Sequence, residues 1–171
     1  AGNLDGTLVN ALLHNKIPEP APVSATPLYT SNFSKGTDGW SLFSPLGGAA
    51  GSLNVSGNKA NVTISNGGTE AWHLLMIKDN LLLKSGGLYR LTFVVQSQAD
   101  RIISFYAAKA SPPWTAYSST IGFTASTKPV TYTSTFAMPG ATDPAARLWI
   151  GLGLSTSGVV ISSIKVEELS R

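Results

Sequence analysis

The stretch that decides the fold is "LYRLTFVVQSQ", Leu88 to Gln98. Tyr89, Leu91, Phe93 and Val95 recur at every second position, and Arg90, Thr92, Val94, Gln96 and Gln98 take the alternate ones. Period two over so long a run is the mark of a strand with one buried and one exposed face. A helix would need its apolar residues at spacings of three and four. The same beat appears outward from this strand in both directions. In "RIISFYAA", Ile103 and Phe105 oppose Ser104 and Tyr106, and in "VTYTSTFAM", Tyr132, Phe136 and Met138 oppose Thr131, Thr133 and Thr135. In "RLWIGLGL", Leu148, Ile150, Leu152 and Leu154 oppose Arg147, Trp149, Gly151 and Gly153.

Gly, Ser and Asn punctuate these runs. The pattern predicts strands over 28–33, 41–43, 52–56, 59–65, 71–78, 88–98, 101–108, 117–123, 130–138, 147–154 and 159–167, with a tight turn at "SGNK", Ser56 to Lys59. Many strands, short turns and no helical segment predict an all-β, two-sheet antiparallel β-sandwich, a jelly roll.

The first segment reads differently. "IPEPAPVSATP", Ile17 to Pro27, reads as an extended, polyproline-like tether. The expected division is therefore residues 1–27 as an N-terminal extension and linker, and 28–171 as the sandwich. A linker implies a neighbouring module. The 171 residues suffice for one core-bearing domain.

Composition narrows the function. Charged residues are 12% of the chain, hydrophobic residues 43%, and there is no cysteine. Disulfides, thiolate catalysis and cysteine-bound zinc are thereby excluded. The net charge of +3 comes from scattered cations with no basic run, so no nucleic-acid partner is expected. No apolar run reaches membrane-spanning length and no signal peptide is seen, so no membrane partner is expected either. A monomeric, secreted or cell-surface domain, of bacterial type, is the expectation.

One residue breaks the alternation. Trp149 stands on the polar side of its strand with Gly151 and Gly153 beside it, and small neighbours leave room for a flat ligand. Gln96, Gln98 and Tyr106 have the same outward parity in their own strands. Trp72 shares parity with Leu74 and Met76 and is expected in the core. Trp40 follows a glycine-rich turn at a strand start, at a groove rim or over one end of the core. "SPPWTAYSS" holds Trp114 and Tyr117 in a proline-stiffened loop, as an auxiliary groove wall or as a plug closing the sandwich.

"NFSKGTDGW", "AWHLLMIKDNLLLKSGGLYRLTFVVQSQADR", "PPWTAY", "VTYTSTFAMPGATDPAARLWIGLG" and "GVVISSIKVEEL" occur in this order between about Leu28 and Leu169. Together they resemble the β-sandwich carbohydrate-binding modules of the family 4, 9, 16 and 22 group, most of all the family 16 type. The resemblance implies a non-catalytic module that holds a polysaccharide chain, β-1,4-linked glucan or mannan, in a groove on one sheet. It implies an attached catalytic module that gains substrate proximity. It also implies Trp40 and Trp149 as paired stacking aromatics and Gln96 and Gln98 as amide ligands, and its placement of "PPWTAY" between core strands favours the plug for Trp114. Tyr106 and Arg147, by their outward parity, and Trp114 and Tyr117, by their loop, are the further candidate contacts. A structural calcium, common in the group, is in doubt because Ser34 and Ser162 stand where carboxylates are usual. Leu75 replaces an expected glutamine.

Two other classes are weighed. A jelly-roll polysaccharide-degrading enzyme needs, for hydrolysis, two carboxylates flanking the groove. None of the nine acids alternates onto the face of Trp149, and His73 is the only histidine of the domain body. No catalytic residue is therefore assigned. A structural or adhesive sandwich without a sugar site would bury Trp149 under another module.

Overall fold

The computed structural model describes residues 23–43, 45–120 and 122–170. They form an all-β jelly roll of two antiparallel sheets. The first sheet runs β3 (Ala50–Ser56), β4 (Lys59–Asn66), β11 (Val159–Ser170), β6 (Leu88–Ser97) and β9 (Val130–Ala137), with β1 (Ser24–Ser31) also paired to β11. The second runs β2 (Trp40–Phe43), β5 (Leu75–Leu83), β10 (Asp143–Gly151), β7 (Arg101–Ala108) and β8 (Gly122–Ala125).

The alternation in Leu88–Gln98 is carried out as read. Tyr89, Leu91, Phe93 and Val95 are buried, and their neighbours face outward. They meet Leu148, Ile150, Ile103 and Phe105 of the second sheet in one core, where Phe93 and Phe105 contact edge to face with centroids 4.4 Å apart. Each such side chain stabilises the fold by about 1.5–3 kcal/mol through removal of apolar surface from water. The Ser56–Lys59 turn forms with Gly57 and Asn58 both at φ 56°, the pair of positive values that a tight two-residue hairpin requires.

The differences from the sequence reading that matter most are at β1, at residues 71–78, at residues 117–123 and at β10. β1 begins at Ser24 rather than Leu28, because Ser24 to Pro27 pair with Ser170 to Glu167 of β11. The end of the proposed tether is therefore part of the sandwich, while residues 1–22 lie outside the described residues. The expected strand 71–78 is split: Ala71–His73 is one turn of 3-10 helix and β5 starts at Leu75. The expected strand 117–123 is mostly loop, with β8 confined to Gly122–Ala125. β10 runs from Asp143 to Gly151 and stops short of Leu154, whose backbone turns left-handed at φ 69°.

β5 has an unusual feature that positions the site. Leu75, Met76 and Ile77 are all buried in succession. Met76 belongs to the main core, whereas Leu75 and Ile77 point to the outer face and join Ala108 and Trp149 in a second apolar cluster. A strand buried on both faces reads as a continuous apolar run.

Candidate carbohydrate-binding groove

The outer face of the second sheet is built from residues set in register. Ser41, Ile77, Trp149 and Tyr106 form one row across β2, β5, β10 and β7. Tyr106 and Trp149 lie parallel, 7° apart in plane, with centroids 6.3 Å apart, and Phe43 meets the Trp149 ring edge-on at 5.9 Å. The guanidinium of Arg147 sits 4.7 Å from the Trp149 ring centroid and 5.2 Å from that of Phe43, a stacked arrangement suited to its planar, delocalised charge. Asp79 holds it in place through Nε and Nη2. Arg147 Nη1 and Trp149 Nε1 are buried donors without a partner among the described residues. Burial raises the Tyr106 phenol above its ordinary pKa, so it stays a neutral hydroxyl.

Walls rise on either side of Trp149 along β10. On one side is the 3-10 turn, which exposes 51% of Trp72. On the other is the loop after Ala108, the residue paired with Arg147. This loop places Trp114, 47% exposed, edge-on to Trp149 at 5.9 Å. Together with Phe43, Leu46, Leu75, Tyr106 and Ala108 these residues enclose a cavity of about 500 Å³ in which no carboxylate takes part. The size and the apolar, aromatic lining are those of a small-molecule or oligomer site.

Gly151 and Gly153 do not leave the open space that their size suggests. A Cβ on Gly153 would lie 1.9 Å from the carbonyl oxygen of Glu70, and one on Gly151 would lie 2.2 Å from Ser104 Oγ and 3.4 Å from the carbonyl oxygen of Ala71. Gly153 is there so that the turn carrying Trp72 can settle on the end of β10, with Gly153 N–H donating to Ala71 O at 3.0 Å.

The expected site residues divide. Trp149, Tyr106 and Trp114 come together in the groove lining, and Arg147 supports it by stacking on the Trp149 ring. Trp114 is a wall and not a plug, since it is half exposed and packs on Trp149 rather than on the main core. Trp149 itself is only 5% exposed, so it is a floor sunk beneath the walls rather than an open platform.

Trp40 does not belong to the groove. It is 2% exposed and points into the main core, donating from Nε1 to the Tyr29 hydroxyl at 2.9 Å. Gln96 and Gln98 lie with the other sheet and its connection. The Gln96 amide donates to Thr127 O at 2.7 Å, and Gln98 Oε1 accepts from Gly158 N–H at 3.0 Å. Parity says whether a side chain faces in or out but not which of two sheets carries it. Tyr117 is an anchor: its hydroxyl donates to Asp143 Oδ2 at 2.8 Å, and burial with that carboxylate pushes its pKa up to about 12. It borders a separate hollow of about 520 Å³ beside Gly140 and Thr142.

The sequence reading missed Phe43, Leu46, Leu75 and above all Trp72, which it assigned to the core. The run "LLMI", Leu74 to Ile77, is the available signal, since four consecutive buried positions mean that both faces of the chain are covered there.

The residues near Ser34 and Ser162 do not fit a carboxylate-bound calcium. Among the described residues no three histidine or acidic side chains converge. Asp38, the acid nearest Ser34 in sequence, accepts a hydrogen bond from Ser31 Oγ.

The chain can now be set beside known proteins. The carbohydrate binding domain family that spans types 4 and 9 matches residues 27–158, and the chain belongs to it. It is a non-catalytic carbohydrate-binding module. Among curated proteins none matches it in sequence. Solved structures share the fold. One described as "CBM4 structure and function" has TM-score 0.71 and 21% identity, over 84% of this chain and 94% of that one. The second N-terminal cellulose-binding domain of Cellulomonas fimi β-1,4-glucanase C has TM-score 0.67 and 15% identity, over 86% and 97%. The CBM22-1 xylan-binding domain from Paenibacillus barcinonensis Xyn10C has TM-score 0.63 and 12% identity, over 88% and 99%.

Proposed function

We propose that the groove holds a single polysaccharide chain, a β-1,4-linked glucan or mannan, and that the module keeps an attached enzyme of a secreted or cell-surface protein close to that polymer. The observation that carries this reading is the pair of half-exposed tryptophans, Trp72 and Trp114, lining the groove with the buried Trp149 and the partly buried Tyr106 as its floor. Pyranose rings have an apolar face that stacks on an indole and an equatorial rim of hydroxyls that needs hydrogen-bond partners. Tyr106 brings a hydroxyl to the lining, and Arg147, stacked on the Trp149 ring, keeps a buried Nη1 donor without a partner among the described residues. The cellulose-binding and xylan-binding relatives support a β-1,4-linked chain, and the pairing of a CBM22 module with a GH10 module in the Clostridium thermocellum xylanase 10B supports an enzyme neighbour.

Each sugar contact replaces one with water, so binding is weak and tethering supplies the gain through effective concentration. Affinity electrophoresis in hydroxyethylcellulose, glucomannan and xylan tests the reading. Retardation in hydroxyethylcellulose or glucomannan, lost in Trp72→Ala, is the expected outcome. Unchanged migration in all three overturns it.

A further inference from the structure

Arg101 is a buried cation without an acid. It is 6% exposed, it takes part in none of the ion pairs among the described residues, and all of its hydrogen bonds go to carbonyl oxygens. Burial depresses its pKa, the cost to be expected of a charge taken out of water without an opposite charge. Its outer neighbours belong to the connection between β10 and β11. Nη1 donates to Ser157 O at 2.7 Å, and Nη2 donates to Leu152 O at 2.6 Å and Gly153 O at 3.0 Å.

The same two residues, Leu152 and Gly153, turn their N–H groups the other way. Leu152 N–H donates to Leu74 O at 2.8 Å and Gly153 N–H to Ala71 O at 3.0 Å, which brackets Trp72 on both sides in sequence. Leu154 N–H adds a bond to Gly67 O at 2.9 Å, at the start of the connection that leads into the turn. The tryptophan wall is thus bonded to a short irregular segment whose Leu152 and Gly153 carbonyls Arg101 fastens from behind. The planar guanidinium fork suits this work, because it reaches three carbonyls at once in fixed geometry, which an ammonium does not.

We infer that Arg101 is a positioning residue for sugar binding, setting the height and tilt of Trp72 over the groove through the peptides of Leu152 and Gly153. The inference rests on the groove reading for its functional meaning, but its structural half stands apart from any ligand. A wall displaced by a fraction of its stacking distance loses contact energy steeply, as any mispositioned recognition group does.

The test compares Arg101→Met, Arg101→Lys and Gly153→Ala with the parent chain. Gly153→Ala reaches the same turn without touching the guanidinium, because its Cβ would collide with Glu70 O. The first readout is the indole N–H signals of the four tryptophans in a ¹H–¹⁵N correlation spectrum, with Trp72 assigned by Trp72→Phe. Both Arg101→Met and Gly153→Ala are expected to move the Trp72 signal and leave that of Trp40 in place, with Arg101→Lys between parent and Met. The second readout is affinity for hydroxyethylcellulose, expected to fall about tenfold in Arg101→Met, as misplaced binding groups commonly do. Arg90→Met, which breaks an ion pair on the other sheet, serves as the stability control and is expected to keep the parent affinity. A Trp72 signal unmoved in both variants overturns the inference. So does a loss of affinity in Arg90→Met equal to that in Arg101→Met. Should the parent bind none of the glycans, the groove reading fails, and the indole signals alone decide the role of Arg101.

Discussion

Tyr106 and Trp149 face each other across the ladder between β7 and β10 with their rings 7° from parallel, so two neighbouring strands present one continuous aromatic floor. The floor is sunk: Trp149 is 5% exposed while Trp72 above it is 51% exposed. Floor and wall therefore respond differently to truncation.

Trp72→Ala removes an exposed wall that contributes nothing to the main core. Its melting temperature should stay within about two degrees of the parent, consistent with the small effects of surface substitutions. Glycan affinity should fall by about 2 kcal/mol, the typical loss at a binding hot spot. Isothermal titration together with a thermal melt checks both halves at once. A variant that binds like the parent would remove Trp72 from the site.

Trp149→Ala should damage fold and binding together. The buried indole packs with Leu75, Ile77, Ala108, Phe43 and Tyr106, and Trp-to-Ala changes in buried settings cost about 3–5 kcal/mol. Trp149→Phe, which keeps part of the packing, should recover most of the stability. Chemical denaturation of the pair separates the packing loss from the loss of the sugar contact.

Trp40→Phe should show the reverse pattern. It deletes the Nε1 hydrogen bond to Tyr29 and leaves a gap in the core, lowering stability by about 1–2 kcal/mol. Glycan affinity measured well below the melting temperature should equal that of the parent. Lost affinity in a fully folded variant would return Trp40 to the groove.

Acid should weaken the first sheet through Glu167. Its carboxyl is held below the ordinary range chiefly by the hydrogen bond from Arg90, with Lys165 adding to the effect and burial opposing it. The folded pKa lies below the unfolded one. The stabilisation is therefore full above the ordinary carboxylate pKa and is lost as pH falls through the depressed folded value. Because Arg90 is partly open to water, the contribution is on the order of 1 kcal/mol. Melting curves from about pH 6 down to pH 2 should fall less steeply for Glu167→Gln than for the parent. Parallel curves would contradict this.

A chain that starts at Leu28 should melt several degrees lower than one that starts at Val23. The shorter chain loses the pairing of Ser24 to Pro27 with the end of β11. Differential scanning calorimetry of the two chains decides it; equal melting temperatures would mean that these pairs add nothing.

The sheets were legible because each long strand repeats one rule. Arg101–Ala108 was bounded as the structure has it, and Leu88–Ser97 within one residue, since their alternation continues to the turn. The ends of β1 and β10 were not, because pairing partners far along the chain decide them: Ser24 is in a strand only because Ser170 lies opposite. The site was half legible. Trp149 stood out as an apolar residue on a polar beat. Trp72 did not, because alternation extended backward from Met76 carries it into the core, whereas the 3-10 turn at Ala71–His73 resets the phase. Gln96 and Trp149 looked like neighbours because both face outward, yet their strands belong to opposite sheets.

The pairing of Ser24 with Ser170 sets the two ends of the sandwich side by side, on the sheet that does not carry the groove. The body between them is thus a closed circuit whose entry and exit nearly touch. Such a body can be rewired: a short peptide joining the ends, with a new opening cut at the exposed Gly57–Asn58 turn, would give a circularly permuted chain of the same architecture. By the same token the whole body can be spliced into a surface loop of a host protein, with the tryptophan walls facing away from the host.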